Sequence, residues 1–336
     1  MSKPVYLVVS LDAEEEGLFT GSYPQYGVTV TNTSALRRLA PLLALGIKPT
    51  LFCAYPVLTD ARSCHIIKEL RDEAGAEIAA HLHHWNTPPI TTGTIDPLSR
   101  VPSRDLPDDV FQAKLENVLA NASKLKGAPV TSFRMGRWDL HKKHFPLLAR
   151  AGILTDASVR PLHGTCEKSR TPDHFAATAT PYWVPTQYGH IFEVPLTVTP
   201  LVSAIRPLLD TFRHGNGCLG TFARYLASTT NYWGALALLP VYHPLWAMKA
   251  ITRYYLASGG NVLSLTWHSS EMQEGATPHL PTEAHVRTFL KKITAYMHWL
   301  MRHYDVHCLT MSELRNSLGH CARALTATQG DWTVAP

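Results

Sequence analysis

Val5-Tyr-Leu-Val-Val-Ser-Leu-Asp12-Ala-Glu14 is an apolar run of strand length that stops on two carboxylates, and its reading decides the fold. Val5 to Leu11 reads as a buried strand. Three more polar segments end later apolar runs: His81-Leu-His83-His84-Trp85, Phe133-Arg134-Met-Gly136-Arg137-Trp138 and Thr266-Trp267-His268-Ser-Ser-Glu271. Carboxylates, imidazoles and a guanidinium gathered from four distant strand ends are the parts of a metal-dependent hydrolase.

Outward from that first run, strand-length segments alternate with helix-period ones. Val5 to Leu11, Pro49 to Ala54, Glu77 to His81, Thr131 to Arg134, Ile153 to Asp156, Ile191 to Leu196, Val262 to Trp267 and Val306 to Leu309 read as strands. Thr33 to Leu45, Ala61 to Ala74, Asp108 to Lys126, Lys142 to Ala151 and Thr282 to Tyr304 read as helices, several closed by a glycine such as Gly46, Gly75 or Gly127. Such alternation predicts an α/β protein with a parallel sheet and crossover helices. No Gly-x-Gly-x-x-Gly turn follows the first strand, so a closed or distorted (β/α) barrel is expected over a doubly wound sheet. The polar segments then fall at the carboxyl ends of the strands, where such barrels build active sites. One domain over residues 1–318 is expected, with an aromatic-rich helical insertion at about 200–260 and a C-terminal tail at 319–336.

The 336 residues are 45% hydrophobic and 17% charged, enough for a large core. The formal charge of +5 comes without a run of Lys or Arg, which argues against nucleic-acid binding. Six cysteines form no Cys-x-x-Cys pair, and the first strand starts too early and ends too soon for a leader peptide, so a cytoplasmic protein is expected, with contact at the inner face of the membrane left open. Tyr225 to Met248 lacks Asp, Glu, Lys and Arg; Asn231, Pro240, His243 and Pro244 interrupt it, so it reads as a helical cover beside the site, not a membrane span.

Asp12 and Glu14 stand two apart, so period-two geometry sends both carboxylates to one side, where one can act as a base and the other hold a metal. His81 and His83 likewise share a strand face. Neutral imidazoles suit zinc and other borderline divalent ions, and two of them with one carboxylate leave a position for water. Arg134, approached through apolar residues, needs an acidic partner, for which Asp12 is the candidate. His268 at the barrel mouth can protonate a leaving amine. Asp156 either hydrogen-bonds the far nitrogen of that imidazole or caps a turn with Ser158.

The order of these segments resembles the polysaccharide deacetylase family, carbohydrate esterase family 4, whose catalytic unit is the NodB homology domain, a distorted (β/α) barrel. The likeness runs from about residue 5 to 315 and is carried by Leu11-Asp12-Ala-Glu14, His81-Leu-His83-His84-Trp85, Arg134-Met-Gly136-Arg137-Trp138, Asp156-Ala-Ser158 and Leu265-Thr-Trp-His268. His81 to Pro89 and His268-Ser-Ser-Glu271 look like the branch associated with lipopolysaccharide or exopolysaccharide biosynthesis. The resemblance implies a divalent metal, zinc first and cobalt, nickel or manganese as alternatives, held by Glu14, His81 and a second histidine. It implies Asp12 as base oriented by Arg134, His268 as acid tuned by Asp156, and a backbone N–H near Arg137 for the oxyanion. The substrate implied is an N-acetylated saccharide, free or lipid-linked, with Arg137, Trp138 and Trp85 among its contacts and Trp267 a further apolar surface.

Three positions depart from the family pattern. Trp85 occupies the place where a four-residue spacing from His81 puts the second histidine, so that ligand is His83 or His84, with strand geometry favouring His83. Glu14 replaces an adjacent Asp, and Gly136 replaces the usual Pro. The missing histidine at position 85 keeps a catalytically silent carbohydrate-binding barrel in play as a rival expectation, and an amidohydrolase acting on a small non-sugar amide is a further one.

Overall fold

Period-two alternation along β1 (Val5–Ala13) puts Val8, Ser10 and Asp12 on one face and Leu7, Val9 and Leu11 on the other, and all of them are buried. The computed structural model describes residues 3–21, 23–90, 102–163, 172–174, 177–200 and 235–319. The parallel strands that follow are β2 (Thr50–Ala54), β3 (Glu77–Leu82), β4 (Ser132–Met135) and β5 (Thr155–Asp156). The antiparallel pair β6 (Tyr182–Thr186) and β7 (Gly189–Glu193) comes next, then the ribbon β8 (Val198–Pro200) and β9 (Ala235–Ala237), and finally β10 (Val262–His268) and β11 (Val306–Cys308).

The main sheet runs β10-β1-β2-β3-β4-β5-β7-β6 and is parallel except for the β6–β7 pair. β1 is its pivot. β10 lies along one side of it, while β2 pairs with its carboxyl half and β11 with its amino half. Between β7 and β10 no strand ladder forms among the described residues. Single bonds bridge that seam instead: Thr197 N–H to Ser264 O at 3.3 Å directly, and Leu238 N–H to Thr197 O at 2.9 Å with Thr266 N–H to Leu238 O at 3.3 Å by way of Leu238. The barrel is therefore distorted and partly open.

Helices cover the outside. They are α1 (Ala40–Leu43), α2 (Tyr55–Thr59), α3 (Ala61–Ala74), α4 (Asp108–Lys126), α5 (Phe145–Arg150), α6 (Leu245–Ala257) and α7 (Glu283–His303), while α8 (Met311–Leu318) closes one end of the barrel. The stops read from sequence hold for α3 and α4, which end on Gly75 at φ 65° and Gly127 at φ 79°, left-handed conformations that cost a glycine little. Asp60 starts α3 by accepting the Ser63 N–H at 2.7 Å. The expected Thr33 to Leu45 helix is instead wound as a 3-10 helix over Thr31–Leu39 before the short α1.

The larger apolar core lies between sheet and helices. A second core fills the barrel, where Val8, Phe52, Ala79, Phe192 and Val262 meet Met311 and Leu314 of α8. α8 plugs the end away from the polar segments. Glu77, buried, accepts from Ser132 Oγ at 2.6 Å and from the Ser312 N–H at 3.0 Å, and so ties that plug to β3 and β4.

The expected insertion is described only from residue 235 onward; residues 201–234 lie outside the described residues, as do 320–336 of the tail. Its described part is not wholly helical, since β9 precedes α6. No described helix is long and apolar enough to cross a membrane.

Candidate active site and metal centre

Strand register brings the polar segments level. Asp12 stands opposite His268, and His81 stands between Ala54 and Arg134. Because successive side chains alternate, Asp12, His81, Arg134 and His268 all turn into the carboxyl end of the barrel.

Arg134 crosses that interior, fully buried. Its Nη1 donates to Asp12 Oδ1 at 2.6 Å and to Thr266 Oγ1 at 2.9 Å, Nη2 to Ser10 Oγ at 2.8 Å and Nε to Ala157 O at 3.0 Å. The guanidinium also lies 4.2 Å from the Phe52 ring centroid. A buried cation this fully bonded fixes the Asp12 carboxylate and leaves Oδ2 turned toward His268 Nε2 at 3.8 Å and His81 Nε2 at 4.0 Å.

Glu14 stands at the centre. Its Oε2 lies 3.3 Å from His83 Nε2 and 3.5 Å from His81 Nε2, and its Oε1 lies 4.0 Å from His268 Nε2. The far nitrogens of the two histidines are committed: His81 Nδ1 donates to Arg134 O at 3.0 Å, and His83 Nδ1 to the Glu15 carboxylate at 2.9 Å. Carbonyl and carboxylate oxygens only accept, so each Nδ1 carries a proton and each Nε2 is left facing Glu14, where a neutral ring would offer its lone pair to a cation.

Those three side chains fit a divalent metal. Their donor atoms lie within 4.8 Å of one another, and His81 Nε2 is a buried nitrogen without a hydrogen-bond partner. Ligands about 2.1 Å from one ion at tetrahedral angles stand about 3.4 Å apart, close to the separations seen. Charge agrees with geometry. Burial alone lowers the basicity of His83, yet the Glu15 and Glu14 carboxylates outweigh it and push the imidazole up to about 10. Burial likewise opposes, and Glu14, Glu271 and Asp12 outweigh it, to raise His268 to about 10. Glu14 is held below the ordinary carboxylate range, against burial, by the His268 charge and by the imidazoles of His81 and His83 beside it. A pocket so rich in carboxylate takes up protons or a cation.

Two supporting carboxylates went unassigned in the sequence. Glu15, buried, accepts from His83 Nδ1, from Trp85 Nε1 at 3.0 Å and from Asn86 Nδ2 at 2.6 Å. Glu271 accepts the His268 backbone N–H at 2.9 Å and lies 3.4 Å from His268 Nδ1. The signal for Glu271 was present as its i+3 spacing from His268, a capping box. For Glu15 the neighbouring acids Glu14 and Glu16 masked it.

Asp156 is not beside His268; Glu271 holds that place. The Asp156 carboxylate accepts Ser158 N–H at 3.0 Å and Ser158 Oγ–H at 2.7 Å, the turn cap that the sequence left as the other choice. Ser158 Oγ accepts in turn from Met135 N–H at 2.8 Å, so the cap positions the strand end next to Arg134. Glu193 stands beside Asp156 in the sheet, and both are fully buried. Burial first, and then the Asp156 charge, pushes Glu193 well above the ordinary carboxylate range, and burial raises Asp156 too. The pair therefore holds a proton in the folded state. A raised folded pKa gives stability that is present at low pH and lost as pH rises through it. Glu193→Gln, which keeps the donor, is expected to lose less stability than the wild type between pH 6 and pH 9, measured by urea denaturation at both.

Trp85 and Trp267 are corrected as sugar surfaces. Trp85 is 3% exposed and stacks on His83 with ring centroids 4.2 Å apart, and Trp267 is fully buried. His84 is buried too, its ring edge-on to Trp85 and not among the donors facing Glu14. Lys114 of α4 donates to the carbonyls of Thr87 at 2.7 Å and Pro89 at 2.6 Å, anchoring the loop that follows the histidines.

Gly136 explains its own departure from the family pattern. A Cβ there lies 2.2 Å from His83 Cδ2 and 2.8 Å from His83 Nε2, so the imidazole occupies the space a side chain would take. Gly136→Ala is expected to displace His83 and weaken metal affinity about 10- to 100-fold with the fold retained, measured by metal titration beside circular dichroism. The next two residues, Arg137 and Trp138, both hold φ 60°, a strained conformation for non-glycine residues that is common where a turn is held for function. Arg137 is exposed and its guanidinium sits 4.5 Å over the Tyr23 ring, while half-buried Trp138 lies 5.0 Å from Arg134. Phe19 meets His268 edge-on at 5.1 Å. A cavity of about 150 Å³ lies beyond Trp138, lined by Leu162, Val198, Ala237, Leu239, Tyr242 and His243, and none of the donors reaches it.

No protein-family model and no curated protein matches the sequence. Solved structures do. A protein described as a polysaccharide deacetylase from Mycobacterium smegmatis aligns with TM-score 0.56 and 16% identity over 100% of this chain and 99% of that one. One so described from Pseudomonas aeruginosa PAO1 gives 0.53 and 13% over 94% and 91%. An allantoinase, Puue, gives 0.55 and 14% over 94% and 90%. The curled parallel sheet, its strand-end polar segments and these likenesses together establish that the chain has the distorted (β/α) barrel fold of the polysaccharide deacetylases.

Proposed function

We propose that the protein is a metal-dependent hydrolase that removes an acetyl group from the nitrogen of an N-acetylated saccharide or glycan precursor. The observation that carries the reading is the confrontation, inside one buried pocket, of an arginine-held Asp12 carboxylate and His268, 3.8 Å apart, beside the Glu14–His81–His83 donors. When bound by those three residues, a divalent ion, zinc by its donor preference, supplies Lewis-acid polarisation of an amide carbonyl and a more acidic water.

The protein's own groups do the rest. Asp12, fixed through Oδ1 by Arg134, takes the proton of the attacking water on Oδ2. His268, with Nδ1 facing Glu271, gives a proton from Nε2 to the departing amine. A backbone N–H near Arg137, in the strained turn, receives the developing oxyanion, and Arg137 and Trp138 border the sugar.

The test is metal quantification coupled to acetate release from a panel of N-acetylated saccharides and sugar nucleotides. One tightly held metal with acetate release from a saccharide supports the reading. Absence of metal binding favours a silent carbohydrate-binding barrel. The allantoinase neighbour places small amides such as allantoin in the same panel, and turnover of these alone favours the small-amide reading.

A further inference from the structure

We propose that the outward face of α6 and α7 docks on an anionic lipid bilayer. Lys249, Arg253, Arg287, Lys291, Lys292 and Arg302 stand against Glu283 alone on these two helices, a balance of +5 that equals the formal charge of the whole chain. All other residues together are neutral. The charge that looks diffuse along the sequence is thus concentrated on one helix pair, joined by the bond between Thr252 and Tyr296 at 2.7 Å.

The pattern on α6 is that of a helix lying in a membrane interface. Trp246, Lys249, Ala250, Arg253, Tyr254 and Ala257 follow at helical spacing on the side away from the buried Met248, Ile251 and Tyr255. Trp246 is 67% exposed and Tyr254 37%, two turns apart, and amphipathic aromatic rings of this kind settle at headgroup depth. Lys249 Nζ and the Arg253 guanidinium flank them, 5.5 Å and 5.2 Å from the Trp299 ring of α7, which holds both cations on one side. Among the described residues, no carboxylate lies within ion-pair reach of Lys249, Arg253, Lys291 or Arg302. Lys292 is different, since it donates to the carbonyls of Pro240 and His243 and serves the fold.

Position adds a reason for a bilayer over a free polyanion. α6 leads through a short turn into β10, so its Trp246 end lies toward the barrel end that carries His268. Docking there holds the mouth of the pocket beside the headgroups, and no described helix is long and apolar enough to cross the bilayer.

Sedimentation of the purified chain with vesicles tests this, using phosphatidylcholine alone and phosphatidylcholine with added phosphatidylglycerol. Binding is expected only with phosphatidylglycerol and is expected to fall with salt. Each basic side chain near such a surface is worth about five-fold, so Lys249→Gln with Arg253→Gln lowers the partition constant about 25-fold. Trp246→Ala lowers it about ten-fold or more, whereas Lys68→Gln with Lys124→Gln, on α3 and α4, leaves it unchanged. Wild-type protein that ignores phosphatidylglycerol, or variants that all bind alike, overturns the proposal. So does binding to heparin through these residues without binding to vesicles, which assigns the face to a soluble polyanion.

Discussion

Asp12→Asn is expected to keep its metal and lose hydrolysis by about 10²- to 10⁴-fold in kcat/KM, the range for removing a general base. The amide is nearly isosteric with the carboxylate and can still accept from Arg134 Nη1, whose other bonds to Ser10, Thr266 and Ala157 keep the guanidinium in place. What vanishes is the ability of Oδ2 to take a proton. The outcome also decides between two donor sets, because Asp12, Glu14 and His268 form a second group close enough to hold an ion. Metal lost together with activity in Asp12→Asn assigns Asp12 to the metal and leaves the reaction without the base proposed for it.

His83→Ala and His81→Ala are each expected to lower metal affinity by at least about 100-fold, while His84→Ala changes it little. The difference follows from one peptide step. His83 presents Nε2 to Glu14 at 3.3 Å, whereas the donors grouped around Glu14 include no atom of His84. Glu15→Gln is expected to fall between them, because it weakens the acceptor that sets the His83 tautomer without removing a donor. Metal content after dialysis, read beside thermal unfolding, checks all four variants. Equal retention in His83→Ala and His84→Ala moves the second ligand elsewhere.

Much of the fold was legible because the runs that specify it are long and interrupted on one schedule. β1, β3 and β10 appear within one or two residues of their expected bounds, and α3 and α4 at theirs, since periodicity and a terminal glycine are local signals. Gathering Asp12, Glu14, His81, His83, Arg134 and His268 in one pocket needed only that these runs be parallel neighbours, and register did the rest. Asp156 failed as a partner of His268 because local bonds took both groups: its carboxylate closes a turn on Ser158, and the carboxyl group beside His268 Nδ1 is Glu271, three residues after that histidine. β6 and its antiparallel pairing with β7, the β8–β9 ribbon and α8 were missed, being short elements that owe their form to packing. Trp85 and Trp267 looked like surfaces because composition does not tell a half-exposed tryptophan from a buried one.

The pivot role of β1 bears on how the protein is made. Its partner β10 is encoded about 250 residues downstream and β11 later still. At a synthesis rate of about 5–20 residues per second, the first strand leaves the ribosome roughly 10–50 s before β10 follows it. Until then an almost wholly apolar strand has an unpaired edge, and Asp12 lacks the neighbour across which it faces His268. Nascent chains are thus in need of shielding throughout most of elongation. A chain stopped just after Glu271 carries every donor of the pocket yet lacks β11 and the α8 plug, so termination there yields aggregation-prone product in place of a smaller working enzyme.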